Sequence, residues 1–131
     1  IATATLGLNP DGLIKDLNNF GFIFETLAVR DLRVYADAID GKLYHYRDKN
    51  GLECDAVIVL PDQTYGLVEI KLGQDEETIT EATNKLISLK EKINPDKMPL
   101  PSFMMILTGV GNFAYRREDG IVVVPISCLK D

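Results

Sequence analysis

The sequence predicts an α/β domain with a mixed β-sheet flanked by helices. Two segments, residues 17–39 and 75–93, carry apolar residues at helical spacing. Short segments rich in β-branched and aromatic residues lie between and after them, separated by turn signals. The resulting order is helix, three strands, helix, strand and final hairpin, which is typical of a sheet covered by helices.

Length and composition indicate one soluble globular domain over residues 1–131. Hydrophobic residues make up 46% of the chain, so it can bury a core without a disulfide or a structural metal. The formal net charge of −6 argues against strong non-specific binding of nucleic acid by this piece alone. No apolar run approaches the about 20 residues of a membrane span, and no signal peptide opens the chain.

The cysteines and the first residue add two expectations. Cys54 and Cys128 are interpreted as reduced thiols of a cytoplasmic protein, although a disulfide between them stays open. The chain begins at Ile1 and not at a methionine, so we expect either a processed chain or a piece of a longer protein.

The first helix is predicted over residues 17–39, after a turn at residues 9–12 (Asn-Pro-Asp-Gly). Asn18 or Asn19 is expected to cap its start and Gly41 to end it. Strands are expected at residues 42–47, 52–60, 65–72 and 102–108, with a last hairpin from 112–117 and 121–127. The turns between them are expected at Asn50-Gly51, residues 61–64 and Asp119-Gly120.

The predicted hairpin of residues 52–72 has one apolar face and one charged face. Alternation places only uncharged residues on the first: Cys54, Ala56, Ile58, Leu60, Val68, Ile70 and Leu72. It places the charges on the second: Glu53, Asp55, Glu69 and Lys71. A register centred near Gln63 would set Asp55 opposite Lys71, whereas a slip of one residue would split the charges between faces.

Asp55, Glu69 and Lys71 are the residue types that metal-dependent phosphodiester hydrolysis needs. Two carboxylates can hold Mg²⁺ or Mn²⁺, which activates water and stabilises charge on the phosphate. A nearby lysine can orient that water or neutralise phosphoryl oxygens. Asp55 and Glu69 are therefore the candidate metal ligands and Lys71 the candidate positioning cation. The simpler alternative is a cross-strand ion pair between Asp55 and Lys71.

Two further acids extend the candidate site. Glu25 lies among small and apolar neighbours in the first helix, so it either lies in water at the edge of the apolar stripe or points at the site. Glu53 is either exposed or a third metal ligand. His45 is interpreted as a surface residue, because no second histidine or cysteine completes a zinc set.

Five segments give the chain a resemblance to a known family: residues 21–25 (GFIFE), 29–36 (VRDLRVYA), 46–55 (YRDKNGLECD), 68–73 (VEIKLG) and 120–126 (GIVVVPI). The chain resembles the C-terminal domain of unknown function that follows an AAA-type ATPase domain in many bacterial and archaeal proteins. The resemblance implies an ATPase part before Ile1, and any role of ATP would run through that part.

The resemblance also implies the restriction-endonuclease-like fold of the PD-(D/E)xK superfamily, with an αβββαβ core. Asp55, Glu69 and Lys71 match the acidic and Glu-x-Lys positions of that superfamily, and Glu25 matches a glutamate that many members add from a helix. Cys54 stands where the superfamily nominally has proline.

We therefore expect a Mg²⁺-dependent nuclease-like domain, the C-terminal part of a larger ATP-binding protein, with either DNA or RNA as its substrate. The rival expectation is a catalytically inactive nuclease-fold module that contacts the ATPase domain of the same polypeptide, a partner protein or DNA. A third is a structural domain with a chance ion pair.

Overall fold

A computed structural model describes residues 10–49, 51–111 and 113–129, with side chains from Ile23 onward. Within these residues it contains two α-helices and a six-stranded mixed sheet, which confirms the predicted α/β class. The elements are α1 (Pro10–Ala38), β1 (Lys42–Arg47), β2 (Glu53–Val59), β3 (Tyr65–Lys71), α2 (Glu76–Glu91), β4 (Phe103–Thr108), β5 (Tyr115–Arg116), β6 (Val122–Pro125) and a closing 3₁₀ turn (Ile126–Leu129).

The sheet has the strand order β1-β2-β3-β4-β6-β5. β1, β2 and β3 are antiparallel neighbours, β3, β4 and β6 are parallel, and β5 runs antiparallel to β6 at the edge. The carboxyl ends of β3, β4 and β6 therefore meet at one end of the sheet. Ligands of open α/β sheets commonly bind at such an end.

Each face of the sheet is covered by one helix. α1 packs Ala28, Leu32 and Ala36 against the face that carries Ala56, Ile58, Val68, Ile70 and Leu107. α2 packs Ile79, Ala82, Leu86 and Leu89 against the face that carries Tyr65, Leu67, Ile106 and Val123. β3 is buried from Tyr65 to Ile70, so a charge on this strand must be compensated inside the protein.

A β-bulge in β2 corrects the predicted face of Cys54. Tyr44 pairs with Val57 and Tyr46 with Cys54, so two residues of β2 lie opposite the single residue His45. The extra residue interrupts the alternation. Cys54 consequently joins the cluster under α2, not the cluster under α1 that holds Ala56.

The hairpin between β2 and β3 has a different register from the predicted one. Ala56 pairs with Val68, which centres the hairpin at Asp62 and sets Asp55 level with Glu69 instead of Lys71. The three-residue loop explains this register: the Leu60 N–H donates to the Thr64 carbonyl, and Gln63 takes the left-handed conformation with φ of 73°. Because β3 is regular and its side chains alternate, Glu69 and Lys71 still share one face.

α1 begins at Pro10, which overturns the predicted turn over residues 10–12 and the caps at Asn18 and Asn19. Proline is favoured at the first helical position, because its missing N–H would have no partner there. The turn glycines Gly51 and Gly120 have φ of 84° and 87°, as the predicted turns require. Asn9, Asn50 and Asn112, which belonged to predicted turns or strands, lie outside the described residues.

The last hairpin is shorter than predicted, since β5 has two residues and β6 ends at Pro125, where the 3₁₀ turn begins. Cys54 is buried and Cys128 exposed, and the two are not bonded to each other in the structure. Within the described residues, neither helix combines the length and hydropathy needed to cross a bilayer.

Candidate functional site

Glu69 is the centre of the candidate site. It lies on β3 in the middle of the sheet, faces α2 and is only 1% exposed. The Lys85 ammonium lies 3.0 Å from Glu69 Oε2. No donor among the described residues reaches the other oxygen, Oε1, although that atom is fully buried. A buried carboxylate with one unpartnered oxygen lowers the stability of the fold. A purely structural role therefore does not explain Glu69 well.

Asp55 lies level with Glu69 in the β2–β3 register, at the position of the bulge in β2. Its Oδ2 accepts a hydrogen bond of 2.8 Å from the backbone N–H of Ile70 on β3. The Asp55 carboxylate thus replaces a backbone carbonyl as acceptor for the Ile70 N–H. It does so just beyond the Ala56–Val68 pair, where the pairing of β2 with β3 ends. Bulges next to functional sites re-aim side chains in this way.

Burial raises the pKa of Glu69 to about 7, and the neighbouring charge of Asp55 adds to the effect. The hydrogen bond and the charge of Lys85 act in the opposite direction but do not cancel it. Both protonation states of Glu69 are therefore accessible near neutral pH, which is a property of general acid–base groups in active sites.

Lys85 is a member of the site that the sequence analysis missed. Burial disfavours its charged form, but the hydrogen bond and charge of Glu69, followed by the charges of Asp55 and Glu53, outweigh burial and raise its pKa. The spacing of residues in α2 could have indicated Lys85. Lys85 lies three residues after Ala82 and four before Leu89, so it is a cation beside the apolar stripe of α2.

Lys71 lies on the same face as Glu69 but makes a different contact. Its ammonium is 3.3 Å from Glu81 Oε1 of α2, and this is its ion pair within the described part of the chain. The cross-strand ion pair with Asp55, considered as the simpler alternative, does not form. α2 thus supplies two charged partners to β3: Glu81 pairs with Lys71, and Lys85 pairs with Glu69.

Glu25 and Glu53 lie at the edge of the site. Partial burial, then the negative charges of Asp55 and Glu53, raise the pKa of Glu25, which reaches this end of the sheet from α1. Glu53 Oε2 lies 3.4 Å from His45 Nε2 and 3.9 Å from Arg47 Nε on β1. Both acids contribute negative potential, but Glu53 is already engaged by neighbouring cationic or polar groups.

The acidic side chains around Glu69 offer few ligands to a metal ion. In the part of the chain that the structure describes, no three His, Cys, Asp or Glu side chains are close enough together to hold one. What the site offers is the pair of Asp55 and Glu69, including the unpartnered oxygen Oε1. Carboxylate oxygens suit a hard cation such as Mg²⁺, which needs only one or two of them and retains waters.

A family model described as "Domain of unknown function (DUF4143)" matches residues 20–129. The match includes every candidate site residue. Comparison with curated proteins and with solved structures gave no match. Because the matched segment spans most of the chain, this protein belongs to the DUF4143 family, a family of domains of unknown function.

Proposed function

We propose that this domain is a metal-dependent phosphodiester hydrolase of the PD-(D/E)xK type, and that Asp55 and Glu69 are its metal ligands. The observation that carries the proposal is the buried Glu69 carboxylate, with its free oxygen and its pKa near neutrality, beside Asp55. Mg²⁺ or Mn²⁺ bound there would supply an activated water and would neutralise charge on a phosphate.

The remaining side chains have distinct roles in this proposal. Lys85 holds the Glu69 carboxylate in place and offers a positive charge to a phosphate oxygen. Lys71 is the second cation of the same face and orients the attacking water. Glu25 of α1 is coupled electrostatically to Asp55 and adds negative potential on the α1 side, without joining the two metal ligands. Glu53 is the outermost candidate.

DNA is the proposed substrate, and the ATPase domain implied by the resemblance is the proposed partner within the polypeptide. ATP would act only through that part. The free thiols Cys54 and Cys128 agree with the cytoplasmic location expected for such a protein.

The test is cleavage of single- and double-stranded DNA by the full-length protein with Mg²⁺ or Mn²⁺. Glu69→Gln and Asp55→Ala should abolish cleavage, whereas Glu91→Gln, which changes an exposed acid at the end of α2, should leave the rate unchanged. No cleavage by the wild type with either metal and either substrate would refute the proposal, as would equal cleavage by Glu69→Gln.

The second candidate is a catalytically inactive module that uses the same fold to bind another protein or domain. Its supporting observation is the outer face of α1, where Ile23, Leu27 and Val34 are 55%, 47% and 64% exposed. Their spacing places them on one side of the helix, away from the sheet. Charged substitutions at Leu27 and Val34 should weaken binding to the ATPase part if this candidate is right, and should leave DNA cleavage unchanged.

A further inference from the structure

A cavity of about 340 Å³ lies on the α2 face of the sheet, at the opposite end of β3 from Lys71. It is bounded by β2, β3, the last turn of α2 and the loop that follows it. Its inner wall is apolar and includes Leu52, Val57, Leu67 and Leu89. The volume falls in the range of small-molecule sites, and apolar walls are typical of them.

Residues that line the cavity are fixed by hydrogen bonds of their own. The Tyr65 hydroxyl donates a hydrogen bond of 2.7 Å to the Pro99 carbonyl, which ties the loop after α2 to the sheet. The Met98 N–H donates to the Asn94 carbonyl and turns the loop so that Met98 lines the cavity. Tyr46 and Met98 are 44% and 47% exposed and form the entrance side. The space is therefore preformed.

The donor hydrogens of the inner wall are already engaged. The Cys54 thiol already donates to the Ala56 carbonyl at 3.1 Å. The Tyr65 hydroxyl is used by Pro99. An occupant would therefore need an inner part without polar atoms, because unpaired polar groups are costly when buried.

The charges that line the cavity are both positive. Lys92 and Lys97 contribute to its lining near the solvent. Lys92 Nζ lies 3.7 Å from Asp48 Oδ2 and is half exposed. Lys97 has no carboxylate within 4.0 Å among the described residues. An anionic end group would complement chiefly the Lys97 ammonium, since Asp48 already pairs with Lys92, while its apolar part filled the cavity.

We propose that this cavity binds a small amphipathic carboxylate, with an unbranched apolar tail against Leu67 and Leu89 and the carboxylate beside Lys92 and Lys97. The site is separate from the acidic site around Glu69 and does not depend on hydrolase activity. Its ligand class follows from an apolar interior combined with cations at the rim.

Calorimetric titration of the full chain with octanoate, decanoate and decan-1-ol tests the chemical class. Decanoate should bind in a saturable manner and roughly fifteenfold more tightly than octanoate, because two more methylene groups are buried. Decan-1-ol should bind more weakly than decanoate. Absence of saturable binding, affinity that is independent of tail length, or equal binding of the alcohol would overturn the proposal.

Charge reversal tests the position of the carboxylate. Lys97→Glu should weaken decanoate binding at least roughly fivefold, since an attraction becomes a repulsion at a solvated site. Lys42→Glu, a reversal of an exposed lysine on β1, is the matched control and should change nothing. Equal affinities of the two variants would contradict the proposed orientation.

The methionines report the location independently. The chain has three, and Met98 lines the cavity while Met105 packs in the cluster under α1. With ¹³C-methyl methionine, decanoate should shift the Met98 methyl resonance and leave that of Met105 in place. A Met98 resonance that does not move at saturating decanoate would show that the ligand binds elsewhere.

Discussion

Lys85 Nζ of α2 lies 3.0 Å from Glu69 Oε2 of β3, so a helix residue neutralises a carboxylate that is buried in the middle of the sheet. The desolvation cost of such a pair often exceeds its Coulombic gain. The pair is therefore weak evidence for a role in stability. It is better explained by a need for charge at this position, which is the basis of the proposed metal site.

Removal of the cation should destabilise the protein in a pH-dependent way. Lys85→Met should lower the free energy of unfolding by about 1–3 kcal/mol at pH 8, because Glu69 loses its partner while it is buried. At pH 5 Glu69 holds its proton, so the loss should be much smaller. Urea denaturation at both pH values measures the difference, with the exposed Lys90→Met as control. The same loss at pH 5 and pH 8 would contradict the interpretation.

Glu69 should also make the wild type less stable as pH rises. Its pKa is raised in the folded protein from the ordinary 4.5 to about 7. Between these values the unfolded chain binds fewer protons than the folded one, so stability is full below about pH 4.5 and is lost as pH rises through about 7. The loss amounts to at most about 3 kcal/mol.

Glu69→Gln should remove this pH dependence, because the amide does not titrate. Denaturation curves of wild type and variant from pH 4 to pH 8 measure it. A Gln variant whose stability still falls with the wild-type slope across that window would assign the effect to other groups.

Asp55 should have a structural role that can be separated from its charge. Asp55→Ala leaves the Ile70 N–H without its acceptor and should cost about 1–3 kcal/mol, whereas Asp55→Asn keeps an acceptor and should cost less. Both variants should lower the pKa of Glu69, since the charge of Asp55 raises it. Chemical denaturation measures the first effect, and ¹³C titration of the Glu69 carboxyl measures the second. An unchanged Glu69 pKa in both variants would mean that the two carboxylates are not coupled.

Gly66 should be intolerant of a side chain because it pairs with Phe103 across β3 and β4. A Cβ at Gly66 would clash with the Phe103 ring. Gly66→Ala should therefore cost about 1–3 kcal/mol, as overpacking of a core commonly does. Phe103→Leu in the same chain should recover part of the loss, and a double-mutant cycle measures the coupling. Strictly additive effects would refute the close approach.

The predictable parts of the fold are those set by local pattern. The alternation in residues 52–72 and the glycines at 51 and 120 were sufficient to predict β2, β3 and two of the turns. The start of α1 was missed because Pro10 is typical both of turns and of first helical positions.

The candidate site was only partly predictable, for a physical reason. The acids Asp55 and Glu69 follow from their places on neighbouring strands. The bulge opposite His45 and the approach of Lys85 depend on how β1 and α2 pack against β2 and β3, which local sequence does not specify. The sequence suggested Asp55 as the ion-pair partner of Lys71, whereas α2 supplies the partner that it takes, Glu81.

Calorimetric titration with Mn²⁺ is the most direct test of the central claim, that Asp55 and Glu69 form a divalent-cation site. The wild type should bind Mn²⁺ in a saturable manner at pH 8 and more weakly at pH 6, where Glu69 is mostly protonated. Glu69→Gln should lose binding and Glu91→Gln should retain it. Absence of saturable binding by the wild type at pH 8, or binding that survives in Glu69→Gln, would contradict the account.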